Sequence, residues 1–137
     1  MSGHECPFPE SCPGILVVED HPGIADMIRS MFEMGGHRVL AARNGKEALE
    51  ILRADRSPCF VLLDLMMPEM SGHEFLEIRS KSRNLLAIPV VAMSASETTR
   101  PSGADAFLRK PFELDSLFRI VESLCNAEKV VPHRKAG

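Results

Sequence analysis

Short apolar runs alternate with amphipathic segments along most of this chain. The run Ile15–Val18 is rich in β-branched residues and is typical of a strand buried on both faces. After it, Pro22 stands where the first turn of a helix tolerates proline, and apolar residues then recur at helical spacing as far as Gly35 and Gly36. We expect this apolar stripe to face the core as packing residues, and its members are Ile24, Met27, Ile28, Met31 and Phe32.

The same alternation repeats down the chain. Strands are predicted at Arg38–Ala42, Phe60–Leu63, Pro89–Met93 and Ala106–Arg109, and helices at Gly45–Ala54, near His73–Lys81 and at about Glu113–Asn126. Five strands alternating with helical segments imply right-handed βαβ units, and therefore an α/β fold with one parallel sheet and helices on both faces. Ligands of such sheets bind beyond the carboxyl ends of the strands. The residues that follow each strand are therefore the candidates for function.

One crossover departs from this pattern. The segment Ser96–Asp105, between the fourth and fifth strands, is short, contains Pro101 and Gly103 and has no apolar stripe. A crossover that includes a helix needs at least about 10–12 residues, and proline inside a helix removes a hydrogen bond and clashes with the preceding turn. We expect the fourth helix to be missing or reduced to a turn. This is either a neutral deletion or a change in the surface that signals to partners.

Length and charge limit the classes of function. The 137 residues suit one domain, and 16 Lys and Arg against 19 Asp and Glu give a net charge of −3, which provides no general attraction to nucleic acid or to an anionic membrane. No apolar run approaches the roughly 20 residues of a membrane span, and the first residues lack the apolar stretch of a signal peptide, so we expect a cytoplasmic protein. The absence of Trp and Tyr excludes tyrosine nucleophiles.

The two ends of the chain differ from the middle. Residues 1–14 are rich in proline and lack periodicity, which predicts a disordered leader, and 127–137 form a basic tail too short for nucleic-acid binding. The spacing of His4, Cys6 and Cys12 fits no standard zinc finger. The folded domain is expected to span 15–126.

Charged and hydroxyl side chains stand at the ends of the predicted strands. Glu19 and Asp20 follow the first strand, Asp64 the third, Ser94 the fourth and Lys110 the fifth. Three carboxylates on one edge of a sheet repel one another and raise a pKa unless a cation lies among them. Oxygen ligands suit a hard divalent ion, and Mg²⁺ is the abundant candidate.

Four stretches of the chain together resemble the receiver domains of two-component response regulators. They are ILVVEDHPG at 15–23, FVLLDLMMPEMSG at 60–72, PVVAMSA at 89–95 and FLRKPF at 107–112. The most specific parts are the D-x-x-M-P-x-M-x-G string that begins at Asp64 and the K-P-F string that begins at Lys110. The resemblance covers about 15–126 and implies a five-stranded parallel sheet of order 2-1-3-4-5, as in flavodoxin and chemotaxis receivers, here with the fourth helix shortened or missing.

The resemblance implies a role for each acidic residue. Asp64 would be the phosphoacceptor, an aspartate nucleophile that attacks a phosphoryl group. Mg²⁺ would bind to Glu19, Asp20, Asp64 and the main-chain carbonyl of Met66, although Glu19 replaces the family's usual aspartate. Lys110 would supply an ammonium group, because incoming phosphoryl charge has to be neutralised.

The remaining implied roles belong to the switch. Ser94 takes the family's Ser/Thr position, where the hydroxyl binds a phosphoryl oxygen after phosphorylation. Phe107 stands at the switch aromatic, which turns inward when Ser94 moves. Pro111 would follow a cis peptide bond, which only an X-Pro bond forms at modest cost.

The function implied is a phosphorylation-dependent signalling switch. The phosphoryl donor would be a sensor histidine kinase or a histidine phosphotransfer protein, and catalysis would be limited to self-phosphorylation and autodephosphorylation at Asp64. Since 15–126 leave no room for an output domain, we expect a stand-alone receiver that signals to an unknown protein by direct contact. A phosphorylation-dependent dimer is compatible with this, whereas direct binding to DNA or a membrane is not expected.

Three other functions were weighed against this one. A haloacid-dehalogenase-type phosphatase needs a second aspartate where Met66 stands, and a flavin or nucleotide domain needs glycine and hydroxyl groups where Glu19 and Asp20 stand. A pseudo-receiver, which binds partners without phosphorylation, stays open because of the short crossover. The presence of Asp64, Ser94 and Lys110 counts against it.

Overall fold

The computed structural model describes most of the predicted domain. The predicted leader, apart from Gly14, and the tail 127–137 lie outside the described residues, and so do His4 and all four cysteines. The described residues are 14–34, 36–54, 58, 60–67, 70–97, 99–113, 115–120 and 123.

Five parallel strands form one sheet in the order β2-β1-β3-β4-β5, which confirms the expected topology. The three interior strands β1, β3 and β4 are buried along their whole length, because helices cover both faces of the sheet. Each strand agrees with its predicted span to within one residue at either end. The strands are β1 (Ile15–Val18), β2 (Val39–Ala42), β3 (Phe60–Asp64), β4 (Val90–Ser94) and β5 (Ala106–Arg109).

Helices follow the first three strands as the pattern predicts. They are α1 (Pro22–Met34), α2 (Gly45–Arg53) and α3 (Gly72–Ser80), with a helical segment over 115–120, here α5, after β5. A single turn that the sequence analysis missed, α4 (Arg83–Leu86), lies between α3 and β4 and is capped by the Ser82 hydroxyl. Between β4 and β5, the described residues 95–97 and 99–105 contain no helix, which confirms that the family's fourth helix is missing there.

The alternation of side chains along the strands divides the core into two layers. On β1, Leu16 and Val18 face the layer under α2 and α3, whereas Ile15 and Val17 face the layer under α1 and α5. The helices contribute buried residues to their own layer only, for example Phe75 from α3 and Phe32 from α1. The sheet therefore separates two apolar layers, and its polar strand ends lie at one edge.

Helix α1 buries only part of its predicted apolar stripe. Ile28 and Phe32 are fully buried, but Met27 is 54% exposed, so the prediction that Met27 packs in the core is wrong. At about 100° per residue, Met27 lies about 120° around the helix from the midpoint between Ile28 and Phe32. The buried face is therefore narrower than the apolar stripe, and Met27 lies beyond its border.

The crossover between β4 and β5 packs against the sheet and α3 without a helix. Pro101 is buried and Ala104 is 3% exposed, and Ala104 belongs to the layer under α2 and α3. Gly103 adopts a φ of +96°, and a Cβ there would stand 3.7 Å from the Cβ of Leu76 on α3. Apolar contacts of single residues thus replace the apolar stripe that a helix would supply.

A buried arginine on α3 holds the far end of this crossover. Arg79 is 4% exposed, and its guanidinium donates hydrogen bonds to the carbonyl oxygens of Gly103, Leu86 and Ile88 and to the carboxylate of Asp105, the last two at 2.9 Å. The same Asp105 oxygen accepts the N–H of Val90 at 2.8 Å, at the start of β4. Arg79 therefore joins α3, the approach to β4 and the end of the crossover, and the sequence analysis missed it.

Candidate functional site

The parallel register of β1 and β3 brings three carboxylates together. Val18 pairs with Leu63, so Glu19 and Asp64 come next on adjacent strands, and Asp20 follows at the start of the loop to α1. One carboxylate oxygen from each of the three residues lies within 4.8 Å of the others. Glu19 and Asp64 are each 3% exposed, whereas Asp20 faces solvent. The predicted acidic site at this edge thus exists as a single cluster.

Lys110, which follows the outermost strand β5, also reaches the acidic cluster. Its Nζ donates to Oε1 of Glu19 at 2.8 Å and stands 3.5 Å from Oδ1 of Asp64. The backbone N–H of Lys110 donates to the carbonyl of Ser94, and the bond from Lys110 to Pro111 is cis, as the resemblance implies. One ammonium group faces three carboxylates, so the cluster keeps an excess of negative charge.

The excess charge changes the protonation of Asp64. Burial and the neighbouring carboxylate of Glu19 raise the pKa of Asp64 to about 6, against the opposing effects of the Met66 N–H, which donates to Oδ1 at 3.2 Å, and of Lys110. A second cation within the cluster would favour the ionised carboxylate. All the available donors are oxygens, the ligand type that hard divalent cations prefer. The residues present therefore fit a divalent metal ion.

Ser94 ends β4 and is fully buried beside the crossover. Its Oγ accepts the N–H groups of Ser96 and Glu97, both at 3.1 Å, and lies 3.3 Å from the Oγ of Ser96. Asp64 pairs in register with Met93, and since side chains alternate along a strand, Ser94 starts from the opposite face of the sheet. In the described part of the chain, the hydrogen bonds of this hydroxyl are with the crossover rather than with the acidic cluster.

The other two predicted residues lie close to these. Phe107 on β5 is half-buried and packs against the layer under α2 and α3, to which Ala92 of β4 also belongs. Met66 lies two residues beyond the end of β3 and is 57% exposed. The metal-binding role of its carbonyl and the switching role of Phe107 stay predictions.

A side-chain contact near the site, between His73 and Glu97, was not predicted from the sequence. Nε2 of His73, in the first turn of α3, lies 2.6 Å from Oε2 of Glu97. Glu97 is the crossover residue whose backbone N–H donates to Oγ of Ser94. The two residues are 24 positions apart, so no local pattern indicates the contact. The pair connects the helix after β3 to the loop after β4.

Comparisons with known sequences agree on one family. The family model described as the response regulator receiver domain matches residues 15–122. The chain is 30% identical over 115 residues to the polar-differentiation response regulator DivK of Brucella anthropi. The aligned region covers 80% of this chain and 93% of DivK. It is 34% identical over 117 residues to response regulator Rre1 of Synechocystis, with 80% of this chain and 50% of Rre1 covered. The chain thus spans about half the length of Rre1.

Solved structures give the same result. The receiver domain of the Francisella response regulator 1452 has a TM-score of 0.72 and 35% identity, with 84% of this chain and 98% of that chain covered. The receiver domain of a signal transduction histidine kinase from Syntrophus aciditrophicus has a TM-score of 0.71 and 31% identity, with 81% and 90% covered. Within the described residues, no helix has the length and apolar character needed to cross a membrane.

Proposed function

Because this chain belongs to the response regulator receiver family of two-component systems, we propose that it is a signalling switch phosphorylated on Asp64 in a Mg²⁺-dependent reaction. The donor is the phosphohistidine of a sensor histidine kinase or of a histidine phosphotransfer protein. The observation that carries the proposal is the acceptor's environment, in which the buried Asp64 lies between a second buried carboxylate, Glu19, and the ammonium of Lys110.

The transfer is a single displacement at phosphorus. A carboxylate oxygen of Asp64 attacks the phosphorus atom in line with the P–N bond of the donor. A P–O bond forms as the P–N bond breaks, and the electron pair of the broken bond stays on the donor imidazole. Hydrolysis of this acyl phosphate by water returns Asp64 to its unphosphorylated state. Receiver domains are signalling modules, and this self-phosphorylation and autodephosphorylation are the extent of the proposed catalysis.

The surrounding residues make this attack between two anions feasible. Lys110 holds a positive charge within 3.5 Å of the nucleophile, where it offsets the charge of the phosphoryl oxygens. Glu19, Asp20, Asp64 and the carbonyl of Met66 hold Mg²⁺. When bound, the ion supplies the divalent charge that keeps Asp64 ionised and neutralises the phosphoryl group.

Phosphorylation changes the contacts of the neighbouring strands. The phosphoryl group adds negative charge and three strong acceptor oxygens at the edge of the sheet. The hydroxyl of Ser94 turns from the crossover to one of these oxygens, and Phe107 on the adjacent β5 turns inward. The face formed by β4 and β5 then repacks and presents the signal to a downstream protein in the cytoplasm. We include a phosphorylation-dependent dimer in the proposal, and no direct contact with DNA.

Intact-mass analysis tests the proposed function. The chain is incubated with Mg²⁺ and acetyl phosphate, and we expect one acid-labile phosphoryl adduct on the parent, none on Asp64→Asn, and none when a chelator removes the metal. Asp26→Asn is the matched control, because Asp26 is an exposed aspartate on α1, and it should be phosphorylated like the parent. If the parent gains no adduct, a pseudo-receiver that binds partners without phosphorylation becomes the better description.

A further inference from the structure

The hydroxyl of Ser94 is hydrogen-bonded to the start of the crossover, which in turn contacts α3. The N–H groups of Ser96 and Glu97 donate to Oγ of Ser94, so the position of this hydroxyl depends on where the start of the crossover lies. Ser94 cannot turn to the phosphoryl group and keep both of these hydrogen bonds in their present geometry. The start of the crossover therefore has to move when Ser94 switches.

The side chain of Glu97 fixes that start to α3. Oε2 of Glu97 lies 2.6 Å from Nε2 of His73, and both side chains keep partial solvent exposure, 32% and 50%. The far end of the crossover is fixed separately by Arg79, through Gly103 and Asp105. The crossover thus has one buried anchor at its far end and one partly exposed hydrogen bond between side chains at the end next to Ser94.

His73 stands on a firm base close to the acceptor. A capping box between Ser71 and Glu74 closes the first turn of α3, and the N–H of Gly72 donates to the carbonyl of Leu65 at 3.2 Å. A Cβ on Gly72 would stand 2.7 Å from the carbonyl oxygen of Asp64, so the helix begins against the acceptor strand itself. The His73–Glu97 pair therefore ties the loop after β4 to the end of β3.

We propose that this hydrogen bond between side chains, the His73–Glu97 latch, holds the resting arrangement of Ser94 and slows its turn toward phosphorylated Asp64. The inference rests on the proposed function and adds to it a regulating contact between α3 and the crossover. His73 and Glu97 are positioning residues that act through Ser94 and do not touch the phosphoryl group. A contact present in only one of two states shifts their equilibrium by its own free energy.

Opening the latch should favour the switched state. Exposed polar side-chain pairs contribute modestly to stability, so Glu97→Ala and His73→Ala should each speed the phosphorylation of Asp64 by acetyl phosphate by roughly two- to fivefold. The charge swap that combines His73→Glu with Glu97→His should restore a rate near that of the parent. In a Ser94→Ala background, Glu97→Ala should leave the rate unchanged, because the latch then has no hydroxyl to hold.

The matched control is Glu77→Ala. Glu77 is an exposed carboxylate on the same helix, 4.0 Å from the ammonium of Lys81, and it makes no ion pair with the described part of the crossover. The same change of residue there should leave the phosphorylation rate at the parent value. Amide signals of Ser96 and Glu97 in nuclear magnetic resonance spectra supply a second readout. In unphosphorylated Glu97→Ala, the Ser96 signal should move toward its position in the phosphorylated parent.

The outcomes separate the latch from the function on which it rests. If the parent is phosphorylated but Glu97→Ala keeps the parent rate and the parent Ser96 signal, the latch is overturned and the proposed function stands. An acceleration that persists in the Ser94→Ala background also overturns it, because the effect would then bypass the hydroxyl. If the parent itself gains no phosphoryl group, the proposed function and the latch fall together.

Discussion

The acidic cluster lies at the carboxyl ends of the strands, whereas the crossover runs from that edge to the amino ends of β4 and β5, and the two regions are held in place by different means. Glu19, Asp20 and Asp64 come directly at the ends of neighbouring strands, and burial together with the neighbouring carboxylate of Glu19 raises the pKa of Asp64 to about 6. The crossover is held by Arg79, whose guanidinium donates to three carbonyl oxygens and a carboxylate. In the acidic cluster, ionised Asp64 is unfavourable for the fold until a cation binds there, whereas the contacts of Arg79 with the crossover stabilise the fold. Substitutions in the two regions should therefore change stability in opposite directions.

The largest expected effect is the loss of the crossover anchor. Arg79→Met should lower the free energy of unfolding by roughly 3 kcal/mol, because it leaves Asp105 and three carbonyl groups without their buried donor. Urea denaturation followed by circular dichroism measures the change. Arg83→Met, at an exposed position on α4, is the control and should stay within about 0.5 kcal/mol of the parent. A loss at Arg79 no larger than at Arg83 would mean that the anchor contributes little to stability.

The opposite sign is expected at the acceptor. In the metal-free protein at neutral pH, Asp64→Asn should raise the free energy of unfolding by roughly 2 kcal/mol, because it removes a buried charge beside Glu19. The folded-state pKa of about 6 lies above the ordinary aspartate pKa of 3.8, so the favourable contribution of protonated Asp64 is fully present below about pH 4 and is lost as the pH rises through 6.

The pH dependence sharpens this prediction. Thermal unfolding of the metal-free parent and of Asp64→Asn should differ little at pH 4, and the advantage of the variant should grow between pH 4 and pH 7. Asp26→Asn, at an exposed site on α1, should follow the parent throughout. A difference between the parent and Asp64→Asn that is constant with pH would contradict the assignment of the effect to ionisation of Asp64.

A smaller effect is expected from Mg²⁺. Because the ion would bind the folded acidic cluster, Mg²⁺ at ten times its dissociation constant should stabilise the parent by about 1.4 kcal/mol at neutral pH. The gain, measured as a rise in Tm, should be lost in Glu19→Gln and kept in the exposed control Glu33→Gln, which is a carboxylate on α1. An equal rise in both variants would indicate that the ion binds elsewhere.

Most of the fold could be predicted because its signals are local. Strands buried on both faces read as apolar runs, and the proline and the missing stripe in 96–105 indicated the absence of a helix. The errors have physical causes as well. Met27 is apolar but lies beyond the buried face of α1, and α4 is a single turn too short for helical periodicity to show.

The sequence by itself determined which residues stand at the carboxyl ends of the strands, because a parallel sheet places those ends on one edge whatever packs around them. Glu19, Asp64 and Lys110 could be named on that ground. The tertiary structure decided how far Asp64 resists ionisation, which groups hold the Ser94 hydroxyl, and how the crossover is fixed. Two side-chain contacts fix the crossover, one between His73 and Glu97 and one between Arg79 and Asp105. They join residues that are 24 and 26 positions apart along the chain. Burial and such distant contacts arise only when the chain has folded, so no local pattern in the sequence could reveal them.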